Sequence, residues 1–145
     1  MDDLRDLLNI LKAHNVQFII IGAHALAHHG HPRATKDVDI WVKQEPENAQ
    51  RLRFPLSEFG AKISEGDSVS FGSVDRQMIR LGVPPQMVDI LNFAGRESFD
   101  SVWSGSVEGQ LLDVSVHFPS KVALIEMKRE AGRPQDLVDI SKLGG

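Results

Sequence analysis

Two aspartates one residue apart are the part of this sequence best suited to chemistry. Asp37 and Asp39 lie in DVDIWV (37–42), a short alternating run that predicts a β-strand. Side chains at i and i+2 of a strand share a face, roughly 6–7 Å apart. Two carboxylates that close repel each other, and an oxygen-preferring divalent cation, Mg²⁺ or Mn²⁺, would relieve the repulsion. Because Asp-x-Asp also arises by chance, a solvated edge-strand pair is the alternative interpretation.

The residues around this pair favour the metal interpretation. Asp89 interrupts a second apolar run, QMVDILNF, and would join the first two carboxylates if the two strands are neighbours. Gly22 follows the run VQFIII (16–21) and precedes a short predicted helix, Ala23 to His29. The N–H groups after such a glycine are suited to binding phosphate, although a tight turn alone would also explain it.

Two cations precede the aspartate pair. Arg33 and Lys36 lie in the loop HPRATK, where they would neutralise a polyphosphate or pair with the aspartates. A glycine-led helix terminus for phosphates together with three carboxylates for metal predicts phosphoryl or nucleotidyl transfer.

The arrangement resembles the DNA polymerase β-type nucleotidyltransferase superfamily. That superfamily has a strand ending in Gly-Gly or Gly-Ser, a short helix, Asp-x-Asp in the next strand and a later acidic residue. The matching residues are Gly22-Ala23, Asp37-Val38-Asp39 and Asp89. Ala23 departs from the pattern, because it keeps the backbone N–H but provides no serine hydroxyl.

A narrower resemblance is to small bacterial nucleotidyltransferases related to the AbiE-type toxins. Arg33 matches an arginine four residues before the first aspartate of that group. In MKREAGRPQDLVDI (127–140), Lys128 matches a lysine on a late helix, and Asp136 or Asp139 matches the aspartate of a following Arg-x-x-Asp segment.

This resemblance implies transfer of a nucleotide from an NTP to a hydroxyl of RNA, protein or a small molecule. It implies that the three aspartates bind Mg²⁺ or Mn²⁺ and that Asp89 also deprotonates the acceptor. The nucleotide would contact a further set of residues: Gly22, Ala23, His24, Arg33, Lys36, Lys128 and Asp136.

Two alternatives remain open at this stage. His24 and His28 are four residues apart, a helical spacing that can hold zinc, although packing beside a nucleotide pocket is the preferred interpretation. The second alternative is a catalytically inactive member of the superfamily that binds a partner as an antitoxin-like module. The three carboxylates argue against that alternative, and Ala23 leaves it open.

Length and composition set the frame. The chain has 145 residues, no cysteine and a net charge of −4, which indicates one domain without disulfides and without a basic field for nucleic acid. We expect a cytoplasmic protein with no membrane segment. A chain this short leaves little room for a separate acceptor-binding domain, so the acceptor site would come from a partner chain or a second copy.

The element pattern predicts a single α/β (α+β) domain with a mixed β-sheet flanked by helices, and the resemblance implies the nucleotidyltransferase fold. Further predictions are a hairpin (about 77–81 and 86–91), a strand pair within VEGQLLDVSVHF, a helix capped by Ser120 and a last helix after Gly132. Pro55 should interrupt the helix that begins near Pro46. Residues 60–76 carry only a weak pattern.

Overall fold

The structure is a computed structural model that describes residues 3–32, 34–35, 37–83 and 86–145. The helices within these ranges are α1 (Asp3–Ala13), α2 (Ala23–His28), α3 (Pro46–Ser57), α4 (Glu65–Ser73), α5 (Phe99–Ser104), α6 (Lys121–Ala131) and α7 (Pro134–Leu143). The strands are β1 (Phe18–Ile21), β2 (Asp37–Val42), β3 (Met78–Val83), β4 (Gln86–Leu91), β5 (Val107–Leu111) and β6 (Val114–Phe118).

A four-stranded mixed sheet organises the molecule. Its strand order is β1-β2-β4-β3, with β2 parallel to β4 and the two outer pairs antiparallel. Strands β5 and β6 form a separate antiparallel pair. The expected mixed sheet, flanking helices and hairpin are therefore confirmed, although β3 begins at Met78 and continues to Val83.

The two faces of the four-stranded sheet differ in chemistry. Val38, Ile40 and Val42 of β2 are completely buried in the main core. This core includes the apolar stripe of α1 (Leu4, Leu7, Leu8 and Leu11), whose 3.6-residue spacing fits its burial. On the opposite face, Trp41 packs in a smaller cluster, while Asp37 and Asp39 are only half-buried. The alternation of β2 thus places the carboxylates on one face and the main core on the other.

Helix α3 corrects one sequence prediction. The helix continues through Pro55 to Ser57, so the expected interruption is wrong. Pro55 stands in the last turn, where few residues follow it, and both Pro55 and Leu56 are buried. The free energy gained by burying them offsets the loss of the backbone hydrogen bond that proline cannot donate.

Two helices were not predicted. Helix α4 lies in the weakly patterned segment and begins with a capping box, in which Ser64 and Asp67 form reciprocal side chain–backbone hydrogen bonds. Helix α5 begins after Ser98, whose side chain accepts a hydrogen bond from the Ser101 N–H. Both caps are readable signals, but six- and nine-residue helices carry too little apolar periodicity to be recognised by pattern.

The last two helices agree with the sequence prediction. Ser120 caps α6, and Gly132 ends it in the left-handed conformation before α7 begins at Pro134. None of the described helices is long and apolar enough to cross a bilayer.

Candidate active site

The sheet register brings the three aspartates together. Asp39 of β2 is paired with Asp89 of the parallel strand β4, and Asp37 projects from the same face two residues earlier. Asp89 is only 9 % exposed, and among the described residues its Oδ1 has no hydrogen-bond partner. A buried carboxylate oxygen without a partner is costly, so this oxygen is available to a cation or to a proton donor.

An arginine that we did not predict contacts this cluster. Arg80 of β3 is paired with Asp89 across the hairpin and therefore points to the same face. Its Nη2 lies 3.3 Å from Asp37 Oδ2, and its Nε lies 3.6 Å from Asp89 Oδ1. Counting outwards from the predicted turn would have revealed this pairing, because antiparallel register fixes which residues are opposite.

The surroundings of Asp39 raise the pKa of its carboxyl group. Burial, followed by the negative charges of Asp89 and Asp37, raises its pKa to about 6, while Arg80 and Arg133 partly oppose the rise. Asp39 therefore lacks enough positive charge around it, which is the condition that a bound divalent cation would correct.

Gly22 fits against the same aspartate. It precedes α2 with φ +72°, and a Cβ built on it would clash with Asp39 Oδ2. Glycine is therefore required both by the backbone conformation and by the close approach of the carboxylate. Ala23 follows as the first residue of α2, where helix N–H groups lack intrahelical partners.

The donor set suits a divalent metal in chemical type. Three carboxylates on neighbouring strands provide the oxygen ligands that Mg²⁺ and Mn²⁺ prefer. As the side chains stand, however, no group of three or more His, Asp or Glu residues in the described ranges is arranged to hold a metal ion. Arg80 engages two of the three carboxylates.

The histidines of α2 have different surroundings. Burial lowers the pKa of His24, and its Nε2 is buried without a hydrogen-bond partner in the described part of the chain. His28 stacks on Phe118 with ring centroids 4.3 Å apart. The stacking agrees with a packing role for His28.

A cavity of about 700 Å³ joins the acidic cluster to the C-terminal helices. Gly22 and Asp39 line one side, and Lys128, Arg133 and Asp136 line another. Its remaining charged lining residues are Arg76, Arg96 and Glu130. Arg76 lies over the ring of Phe93, 4.4 Å from the centroid. These arginines were also missed, because they come from loops without a sequence motif.

Lys128 and Asp136, two of the predicted nucleotide-binding residues, belong to a compact ionic network. Lys128 is 7 % exposed, and its Nζ lies 2.9 Å from Asp139 Oδ2 and 3.7 Å from Asp136 Oδ1. Burial would raise the pKa of Asp136, but the hydrogen bonds and charge of Arg133 outweigh it and lower the pKa. Arg33 and Lys36 lie outside the described residues.

Comparison with known proteins identifies the fold. No protein-family model matches the chain, and no curated protein matches its sequence. A crystal structure of ANT(2″)-Ia in complex with adenylyl-2″-tobramycin matches with a TM-score of 0.63 at 16% identity, over 97% of this chain and 84% of that one. A candidate nucleotidyltransferase from Thermotoga maritima, TM1012, gives 0.64 at 18%, over 96% and 88%.

A solution structure of ANT(2″)-Ia, an antibiotic-resistance factor, matches with a TM-score of 0.58 at 15% identity, over 99% of this chain and 83% of that one. The chain therefore has the nucleotidyltransferase fold. The expected fold class is confirmed.

Proposed function

We propose that this protein is a metal-dependent nucleotidyltransferase that moves an NMP from an NTP to an acceptor hydroxyl. The observation that carries the proposal is the β2–β4 register, which sets Asp37, Asp39 and Asp89 together beside Gly22. The shared fold supports the same class of reaction.

The three aspartates would hold Mg²⁺ or Mn²⁺. Such an ion would neutralise charge on the α-phosphate and increase the acidity of the acceptor hydroxyl. The acceptor oxygen bonds to the α-phosphorus while the bond to the pyrophosphate oxygen breaks. Asp89 would take the acceptor proton, a role supported by its buried Oδ1, which has no hydrogen-bond donor among the described residues.

The nucleotide would occupy the cavity between the acidic cluster and α6–α7. Its volume of about 700 Å³ falls within the range usual for small-molecule sites. The N–H groups at Gly22, Ala23 and His24 would contact the phosphates at one side. Arg33 and Lys36 precede Asp37 in sequence and are proposed to add positive charge there.

The acceptor is an RNA, a protein or a small molecule. The similarity to AbiE-related nucleotidyltransferases, carried by Arg33, Lys128 and Asp136, favours a toxin–antitoxin setting in the cytoplasm. We propose that a partner chain or a second copy completes the acceptor site.

A partner-binding, antitoxin-like module is the second candidate. Two observations favour it. Arg80 already forms ion pairs with two of the three carboxylates, and Ala23 provides no hydroxyl for phosphate. An inactive module would form a stable complex with its partner and show no nucleotide turnover.

Thermal-shift titration with ATP, GTP, CTP and UTP, each with and without Mg²⁺, tests the function. Ligand at about 100 times its Kd stabilises by about 2.7 kcal/mol, a shift of several degrees for a chain of this size. We expect a magnesium-dependent shift with at least one NTP that is lost in Asp37→Ala.

Asp113→Asn is the matched control, because Asp113 is exposed in the β5–β6 turn and asparagine tolerates its positive φ. Transfer of α-phosphate label to an acceptor should likewise disappear in Asp89→Asn. No shift with any NTP would refute the enzyme and favour the partner-binding module.

A further inference from the structure

The cationic residues of α6 and its following loop are presented to the cavity very differently. The Lys128 side chain is 8% exposed and lies against Asp139 and Asp136, which are themselves almost completely buried. The Arg133 side chain is 76% exposed and lines the same cavity as Gly22 and Asp39. The two residues therefore differ in their access to a ligand.

We propose that Arg133, and not Lys128, is the side chain of this region that binds the phosphates of the nucleotide, and that Asp136 positions it. The inference rests on the proposed function and assigns roles within its site. Lys128 then serves as the buried counter-ion that secures α7 against α6.

Asp136 holds the guanidinium of Arg133 in one orientation. Arg133 Nε donates to Asp136 Oδ2 at 2.7 Å, and Nη2 donates to Oδ1 at 3.2 Å. The backbone N–H of Arg133 also donates to Asp136 Oδ2, at 3.2 Å. A guanidinium has five N–H donors, so this two-point contact leaves three for another anion. A fixed guanidinium loses less conformational freedom when it binds phosphate.

Lys128 is a poor candidate for the same role. Its Nζ bonds Asp139 Oδ2 at 2.9 Å, and the other oxygen of Asp139 accepts from Gln135. Turning the ammonium towards a nucleotide would move its positive charge away from the buried carboxylate of Asp139, which is strongly unfavourable. The ionic contacts of Lys128 are therefore better explained as structural.

Isothermal titration of the full chain in Mg²⁺ distinguishes the two cations. The probes are inorganic tripolyphosphate and the NTP that gives the largest thermal shift. We expect Arg133→Gln to weaken both probes by about tenfold, the usual loss for one hydrogen-bonding charge. Arg129→Gln removes another exposed cation, which lies on α6 and does not line the cavity, and should leave both affinities unchanged.

Two further variants test the assigned roles. Asp136→Asn should weaken tripolyphosphate less than Arg133→Gln does, because it loosens the guanidinium without removing it. Lys128→Met should lower the melting temperature and, where it folds, bind tripolyphosphate within about twofold of the parent, since the proposal gives it no phosphate contact.

Each result has a definite meaning. Equal affinity of the parent and Arg133→Gln for both probes would overturn the inference while leaving the proposed function intact. A tenfold loss in folded Lys128→Met would overturn it as well. A parent chain that binds no NTP would instead refute the proposed function, and with it the inference.

Discussion

At the scale of single residues, Arg80 is the side chain that most affects the acidic cluster. It stands on the edge strand β3, half-exposed, and forms ion pairs with Asp37 and Asp89 at 3.3 and 3.6 Å. Both N···O distances are longer than the ~2.7–2.9 Å of a good charge-assisted hydrogen bond. The Arg80 guanidinium is thus a weakly bound cation at the position where the proposed divalent metal ion would bind.

Removing this arginine should strengthen metal binding. We expect Arg80→Gln to bind Mn²⁺ about fivefold more tightly, because partly exposed ion pairs of this kind contribute about 1 kcal/mol. Mn²⁺ titration followed by electron paramagnetic resonance measures the affinity directly. Arg96→Gln, a loss of one charge from the neighbouring cavity, is the control. Weaker Mn²⁺ binding in Arg80→Gln would show that the arginine supports the metal site instead of competing with it.

At the scale of elements, the site depends on the strands β2 and β4 and on their parallel pairing, and only the strands can be predicted from the sequence. The two strands can be predicted from the sequence, because DVDIWV alternates and QMVDIL is an apolar run between turn residues, each interrupted by aspartate. Their parallel pairing cannot be predicted in this way, because it is a tertiary arrangement and no local pattern encodes it. Arg76 and Arg96 were missed because they come from loops without a sequence motif, and α4 and α5 because such short helices show too little apolar periodicity.

The turn between β1 and α2 gives a test at this scale. Gly22→Ala should be more destabilising than Gly30→Ala, although both glycines have positive φ. Nothing lies within 4 Å of a Cβ at Gly30, so that variant measures the backbone strain alone, about 1–2 kcal/mol. At Gly22 the added Cβ also meets the Asp39 carboxylate, which should cost a further ~1–3 kcal/mol.

Urea unfolding of both variants measures the difference. Asp39→Ala in the Gly22→Ala background should recover the part of the excess that comes from the clash, while the strain of alanine at φ +72° and ψ −147° remains. Equal free energies of unfolding for Gly22→Ala and Gly30→Ala would show that the carboxylate moves aside without cost.

At the scale of the whole molecule, the crowded carboxylates make folding stability depend on pH. The pKa of Asp39 is about 6 in the folded chain against 3.8 without the fold, so the folded state holds this proton more tightly. Stability contributed by the protonated form is complete below about pH 4 and is lost as pH rises through about 6. His24, whose pKa is lowered by burial, acts in the opposite direction.

The difference between the parent and Asp39→Asn isolates this effect. Without divalent metal, we expect the free energy of unfolding of the parent to fall relative to that of Asp39→Asn between about pH 4 and pH 6.5. Denaturant melts at several pH values give both curves, and the His24 contribution cancels between them. A constant difference across that range would contradict the raised pKa of Asp39.

The parallel pairing of β2 with β4 also bears on how the protein acquires its site. Helices α3 and α4 and strand β3 all lie between the two strands in the chain, so joining Asp39 to Asp89 closes a long loop. The entropy of that closure opposes the contact until the rest of the sheet supports it. On the ribosome, Asp37 and Asp39 emerge well before Asp89, and α6 and α7 emerge after it. A nascent chain therefore cannot assemble the acidic cluster until Asp89 and its strand have emerged.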